Sequence, residues 1–262
     1  MFSSDGRYLF TTENHYQTKN IEQSGIIAVY DTLDTDHNGF KRIDEYTCGG
    51  IGPHQLALLN DGHTLAIAMG GILTHPDKQR DKLNIDSMKP SLTYLDTRNG
   101  KILDQFYPTH HQMSIRHLAV STTDQVIMGV QYQGDKHHHI PLVLSHQGEV
   151  QLQTLKANQS LWAQQNQYIA SIAIDNKARY AISTSPRGGG VCLWDLCNLQ
   201  NLAQHSIRDV AGALYSTDKQ CFLVSNGTGQ LMALSPNTKT FSAQAVFLNR
   251  TVRWDNHLSL AS

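Results

Sequence analysis

The sequence predicts an all-β protein, a β-propeller of four-stranded antiparallel blades. Three observations carry this. Turn signals recur between apolar strands at Asp5-Gly6, Asp61-Gly62, Asp124-Gln125, Asp175-Asn176 and Asp218-Lys219, and each implies a hairpin. Each hairpin is followed by a third strand that ends in a second turn, at Val29-Tyr30-Asp31, Tyr94-Leu95-Asp96, Val143-Leu144-Ser145, Leu193-Trp194-Asp195 and Ala233-Leu234-Ser235. Helical periodicity is nearly absent, because Val, Ile, Leu, Thr and Tyr alternate with polar residues over short runs that Gly or Asn interrupts.

The elements follow in order. Repeats are expected to begin near residues 1, 52, 115, 168 and 208, each with an inner strand, a returning second strand, a third strand and an outer fourth, such as Phe40 to Tyr46 or Lys101 to Tyr107. Four short strands per repeat at this period describe a propeller blade. The first repeat opens at the end of its inner strand, and Trp254 to Ser262 reads as a further inner strand with no blade after it. The chain thus covers about five blades plus a C-terminal strand, one domain over 1–262 that is incomplete at its N-terminus, and it is expected to form an open arc.

Composition narrows the function classes. The chain has 262 residues, of which 40% are hydrophobic and 16% charged, enough for a core and too few charges for disorder. Lys and Arg number 21 against 22 Asp and Glu, with no long run of either sign, which argues against nucleic acid as a partner. The least polar stretch, Leu65 to Thr74, is far shorter than the roughly 20 residues of a spanning helix. Residues 1–10 show no export signal, so the chain as written reads as cytoplasmic. Cys48, Cys192, Cys197 and Cys221 form no CxxC pair and no zinc-ligand spacing, and read as free, mostly buried thiols.

Strand direction predicts where function lies. In an antiparallel meander the inner strand starts at the end where the second strand finishes, so loops joining strands two and three lie beside the inner-strand starts. That end collects Glu13 and Asn14, the long segment Gly70 to Pro90, Gln131, and the Ser185-Pro186-Arg187-Gly188 loop. From inner-strand starts it collects His54, Arg116, His117, Tyr168, Asp255 and His257. The Asp residues of the first turns should lie at the opposite end. His54, His117 and His257 could together bind a metal, since neutral imidazole is its commonest protein ligand, or could fix loop entry to each blade. Arg116 and Arg187, with Glu13 and Asp255, could orient a small anionic ligand, or could form ion pairs between blades. Asn14 and Gln131 complete the ligand-binding candidates. Segment 70–90 is long for a hairpin loop and reads as a lid. His137-His138-His139 reads as a solvated loop. The residues name no cofactor.

The strings FTTEN (10–14), GIGPHQL (50–56), GGILTHPD (70–77), KLNIDSMKPSL (82–92), SIRHLAV (114–120), GVQYQGD (129–135), STSPRGG (183–189) and WDNHL (254–258) resemble a family of bacterial envelope proteins known as domain of unknown function 1513. The resemblance covers essentially the whole chain. It implies a seven-bladed propeller, usually exported to the periplasm and associated with iron acquisition, of which this chain would lack an export signal and roughly two blades. The function it favours is a non-enzymatic binding or scaffold propeller, with a small anionic ligand or partner protein at the channel mouth. A lactonase-like hydrolase is the alternative: Gly52-Pro53-His54 before an inner strand resembles propeller lactonases, although no Ser nucleophile elbow and no adjacent carboxylate pair accompany it.

Overall fold

The computed structural model describes residues 1–16, 21–36, 39–79, 81–236, 241–249, 251–255 and 257–259. Two compact units divide the chain, residues 1–116 and 117–262. The first holds Tyr8–Asn14 (β1), Gly25–Asp36 (β2) and Gly39–Thr47 (β3), paired in the order β1-β2-β3. It also holds Pro53–Leu58 (β4), Thr64–Met69 (β5), Ser91–Asp96 (β6) and Ile102–Phe106 (β7), a sheet ordered β4-β5-β6-β7. Met113–Val120 (β8) runs across the boundary and pairs with Val126–Tyr132 (β9), followed by Val143–His146 (β10) and Gln153–Thr154 (β11). A short helix, Gln159–Gln164 (α1), precedes two more four-stranded meanders. These are Ser171–Ile174 (β12), Tyr180–Ser185 (β13), Gly190–Asp195 (β14) and Gln200–Ser206 (β15), then Val210–Ser216 (β16), Cys221–Asn226 (β17), Gln230–Pro236 (β18) and Phe241–Leu248 (β19).

The chain is all-β, and every strand pair with a defined register is antiparallel. The first sheet has three strands, in keeping with a repeat that opens at the end of its inner strand, and its inner position is marked only by an isolated bridge from Phe2 to Leu9. Two differences from the sequence reading stand out. Residues 254, 255 and 257–259 form no strand; Leu260 to Ser262, part of the same expected strand, lie outside the described residues. Helix α1 went unread because a single turn gives too short a stretch for periodicity. Its start is set by the Asn158 side chain, which accepts the Leu161 N–H at 2.8 Å, and its anchor is Trp162, whose ring stacks on Trp194 at 5.4 Å.

Burial explains the strand order. Strands β5 and β17 are buried at every position, so TLAIAM and CFLVSN read as continuous apolar or small runs covered on both faces. The outer strand β3 is exposed at all but one position, which is why GFKRIDEYT carries charges of both signs. In the first unit the core joins its two sheets through Phe10, Ile27, Val29, Leu65, Ile67 and Leu95. In the second, Ile182, Leu193, Val210, Phe222, Val224 and Leu234 fill the space between the last two meanders. In that unit the residues after β11 also stitch neighbouring sheets together: Lys156 N donates to Leu199 O at 2.7 Å, and Asn201 N donates to Lys156 O at 2.8 Å, a parallel bridge.

Two recurring devices fix the turns. In three sheets a buried aspartate on the strand before the outer one, within β2 and at the last residue of β6 and of β14, accepts N–H groups from residues just beyond it and also meets an arginine. Asp31 takes Leu33 N and pairs with Arg7 at 2.8 Å; Asp96 takes Arg98 N and the Arg98 guanidinium at 2.7 Å; Asp195 takes Cys197 N and Arg179 at 3.3 Å. The Arg7 and Arg98 partners hold the Asp31 and Asp96 carboxyls below the ordinary aspartate value. In the first turns Asp5, Asp61 and Asp175 accept backbone N–H groups as their sequences suggest. At the other two sites a serine, Ser121 or Ser216, accepts a backbone N–H.

The first turns share one backbone demand. Gly6, Gly62, Asp124, Ala178 and Gln220 all have positive φ just before strand two, so Asp-Gly meets the requirement only twice and side chains bear the left-handed conformation elsewhere. Ala178→Gly is therefore expected to raise stability by up to about 1 kcal/mol in chemical denaturation; a loss would show that the Ala178 methyl packs usefully.

All four cysteines are free, and three are buried. Burial pushes the Cys48 and Cys192 thiols up to about 12 and raises that of Cys221, whereas Cys197 is exposed. Thiolate supply and access both govern the reaction. The native chain should therefore consume one equivalent of a disulfide reagent rapidly and the other three only on unfolding, and Cys197→Ser should abolish the fast phase.

Candidate functional site

In three sheets the first-turn Asp and the candidate residue lie at opposite ends of a strand. In β1 Asp5 precedes the strand and Glu13 lies near its end; around β4 His54 is near the start and Asp61 beyond the finish; around β13 Asp175 precedes and Arg187 follows. Several candidates nevertheless sit on strands, not on loops. Glu13 and Asn14 are the last two residues of β1, because pairing with β2 continues to Asn14 opposite Gly25. Arg116 and His117 lie in mid-strand, since β8 begins at Met113. Gln131 is the penultimate residue of β9.

In the first unit, Glu13 is held by its own sheet. Its carboxylate accepts Thr11 Oγ1 and the Tyr30 hydroxyl at 2.9 Å each, and pairs with Arg42 at 2.9 Å. Burial pushes this carboxyl up, but the two hydroxyls and the guanidinium outweigh it and hold it below the ordinary value. In return, the hydrogen bond to Glu13, and then burial, raise the Tyr30 phenol. Asn14 Oδ1 accepts Gly52 N at 3.2 Å and so ties the approach to β4 to the end of β1. His54, half-buried, accepts Thr12 Oγ1 at its carbonyl, 3.4 Å. Arg116 lies against Gly70: a Cβ there would stand 3.1 Å from Arg116 Nη1, and Ser114 Oγ donates to Gly70 O at 2.8 Å.

The expected lid is cross-braced. Asn84 Oδ1 accepts Leu73 N at 2.7 Å, Asn84 Nδ2 donates to Gly71 O at 2.9 Å, and Leu83 N donates to Leu73 O at 2.9 Å. Segment 70–90 therefore folds back on itself; its Arg80 lies outside the described residues.

In the second unit two groups form. His117, buried on β8, faces His257 with ring centroids 5.3 Å apart, and Asp255 O accepts Ser225 Oγ at 3.5 Å, placing Asp255 against β17 and, with Leu258, beside Gly212 of β16. Asn256, inside the WDNHL string, is outside the described residues. Separately, Gln131 bridges Tyr168 through the backbone, and the Arg187 guanidinium lies 4.4 Å from the centre of the Tyr168 ring. Gly188 N donates to Ser185 Oγ at 2.9 Å, and that hydroxyl donates to Gln165 O at 2.9 Å, which anchors the base of the Arg187 loop. Sequence reasoning passed over Gln165, which is fully buried with neither side-chain polar atom bonded to the described protein. Its signal was an uninformative run of glutamines. His137, His138 and His139 are exposed, as expected. Among the described residues no three His, Cys, Asp or Glu side chains gather so as to hold a metal ion, and no helix is long and apolar enough to cross a membrane.

A β-rich chain of repeated antiparallel sheets with polar groups at one sheet end matches a family at sequence level as well. The chain belongs to the family described as protein of unknown function DUF1513, matched over residues 1–261. No curated protein matches it. Among solved structures it is similar to a functionally unknown protein from Desulfotomaculum acetoxidans, with a TM-score of 0.62 and 11% identity over 92% of this chain and 67% of that one. It is also similar to the periplasmic gluconolactonase PpgL of Pseudomonas aeruginosa, with a TM-score of 0.63 and 16% identity over 95% and 70%. At these identities the likeness is one of fold.

The Glu13 cluster generates a pH-dependent expectation. A carboxyl with a depressed folded pKa contributes stability that is present above its unfolded value, about 4.3, and is lost as pH falls through the folded value. Glu13→Gln should cost about 1–2 kcal/mol at pH 7, and the difference from the wild type should shrink toward zero below about pH 4. A deficit that persists at pH 3 would show that shape, not charge, is at stake.

Proposed function

We propose that residues 1–262 belong to one β-propeller domain of the bacterial envelope, each meander a blade, which binds a small anionic ligand at the sheet ends where inner strands begin. Support for the fold comes from the repeated four-stranded sheets and from similar structures that span more than nine-tenths of the chain; support for the envelope comes from the periplasmic neighbour. The observation that carries the binding reading is Arg187. It is exposed, its guanidinium rests on the Tyr168 ring, and among the described residues it has no carboxylate partner. Aromatic support orients the guanidinium plane and leaves its N–H edge for a carboxylate or phosphate. Gln131, His117, Asp255 and His257 supply further polar groups in the same unit, and Glu13, Asn14, His54 and Arg116 take the corresponding positions in the other. A protein partner presenting an acidic side chain would use the same contact.

A second reading, hydrolysis of a lactone, is favoured by the likeness to a gluconolactonase and by Gly52-Pro53-His54 leading into β4. One experiment separates the two. Purified protein is titrated with gluconate and assayed with D-glucono-1,5-lactone. The binding reading expects saturable gluconate binding that Arg187→Ala weakens by about 1.5–3 kcal/mol, the scale of a charged hydrogen bond, with lactone opening at the spontaneous rate. Turnover that disappears in His54→Ala supports the hydrolase instead. Neither binding nor turnover would remove both.

A further inference from the structure

The first unit contains a cavity of about 550 Å³ whose lining does not include Arg187. It opens between outer strand β7, the Gly49-Gly50-Ile51 turn leading to β4, and the segment from Gly71 to Lys89 that joins β5 to β6. Protein interiors close around unfilled space unless their walls are held apart, and here the walls are tied. Asn84 braces the segment as described. The turn is fixed by Gln105 Nε2 donating to Gly49 O at 3.0 Å and by Gly25 N donating to Gly50 O at 2.9 Å. The same Gln105 nitrogen donates to Ser91 Oγ and Thr93 Oγ1, and the Gln105 oxygen accepts the Tyr107 hydroxyl at 2.7 Å. A side-chain amide anchored at both its atoms thus holds Tyr107, itself more than half exposed, in place beside the cavity.

The lining divides into committed and uncommitted groups. Asn84 and Gln105 spend their amides on the walls, and Lys89, the charged residue of the lining, already has an interaction within the protein. No carboxylate contributes among the described residues. The Gln23 amide and the Ser87 hydroxyl, by contrast, have no side-chain partner among the described residues. The cavity therefore offers neutral hydrogen-bonding groups beside a fixed aromatic ring. An amide and a hydroxyl both donate and accept, as a sugar hydroxyl does. The electron-rich face of a tyrosine ring attracts the positive ends of C–H bonds, which crowd one face of a pyranose while its hydroxyls point outward around the rim. The volume lies in the range of small-molecule sites, roughly 300–1,000 Å³. We infer that the cavity binds a neutral sugar in pyranose form, its C–H face on Tyr107 and its hydroxyls bonded to Gln23 and Ser87. The inference does not depend on the anion contact proposed at Arg187.

The test uses the full chain and calorimetric titration with the methyl glycosides of D-glucose, D-galactose and D-mannose. Cyclohexanol, a six-membered ring with a single hydroxyl, and sodium D-glucuronate serve as comparisons. At least one glycoside is expected to saturate, with cyclohexanol at least about tenfold weaker because it forfeits hydrogen bonds, and glucuronate no tighter than the glucoside. Tyr107→Ala should weaken the glycoside by at least about tenfold, whereas Tyr107→Phe, which keeps the ring, should stay within about threefold of the wild type. Gln23→Ala and Ser87→Ala should each cost about three- to tenfold in affinity, the range of one neutral hydrogen bond. All four positions changed here are exposed or on the cavity wall, and a thermal melt confirms that each variant folds. Arg187→Ala should leave glycoside affinity unchanged, which separates this site from the one proposed above. The assignment is overturned if no glycoside saturates, if cyclohexanol binds equally well, if glucuronate binds more tightly, or if folded Tyr107→Ala, Gln23→Ala and Ser87→Ala bind as the wild type does.

Discussion

Three sheets share a carboxylate buried on the strand before the outer one. An ionised aspartate shielded from water is costly unless its oxygens are occupied, and Asp31, Asp96 and Asp195 are occupied by turn N–H groups and an arginine. The consequence is geometric. With these residues tied, the path of the chain into the outer strand is constrained, although the pairing to that strand carries a bulge in each of the three sheets. Because Arg7 and Arg179 come from the turn between strands one and two, the same contact ties both hairpins of a sheet at one end. The opposite end is released from that duty, and there His54, Tyr168 and Arg187 are found.

That division of labour explains which parts of the molecule were legible in the sequence. The strand pattern is written in apolar runs such as TLAIAM and in Asp-Gly turns, and both are local signals. The turns at Asp124-Gln125 and Asp218-Lys219 were legible, but their acceptors Ser121 and Ser216 were not, because a serine acceptor looks like any polar residue, and the positive φ of Ala178 and Gln220 leaves no mark in the letters. Helix α1 depends on Trp162 meeting Trp194, far along the chain, a contact that periodicity does not encode. The segment after Trp254 reads as a strand from alternation alone, but a strand also needs a backbone ladder, and its described residues are assigned to no strand.

The candidate site was legible as residue types at one sheet end and illegible as partnerships. Glu13 carries the charge expected of a ligand-orienting group, yet its two oxygens are already engaged by Thr11, Tyr30 and Arg42; it acts as a clasp across β1, β2 and β3. Arg187 looked equivalent to Arg116. The structure separates them, because Arg187 rests on an aromatic ring that precedes it by most of a blade, while Arg116 is pressed against Gly70. Such distinctions arise from which side chains the fold brings within reach, and no single-sequence pattern contains them.

The bridge between Lys156 and the start of β15 has a mechanical meaning. Antiparallel sheets that touch only through side chains can be peeled apart one at a time, each giving way at its outermost edge. In the second unit the backbone leaving β11 is bonded to Leu199 and Asn201 on both sides of Lys156, so the free margin of one sheet is laced to that of the next. Tension applied along this stretch of chain loads two sheets in parallel, and they yield as one fibre-like element instead of in sequence.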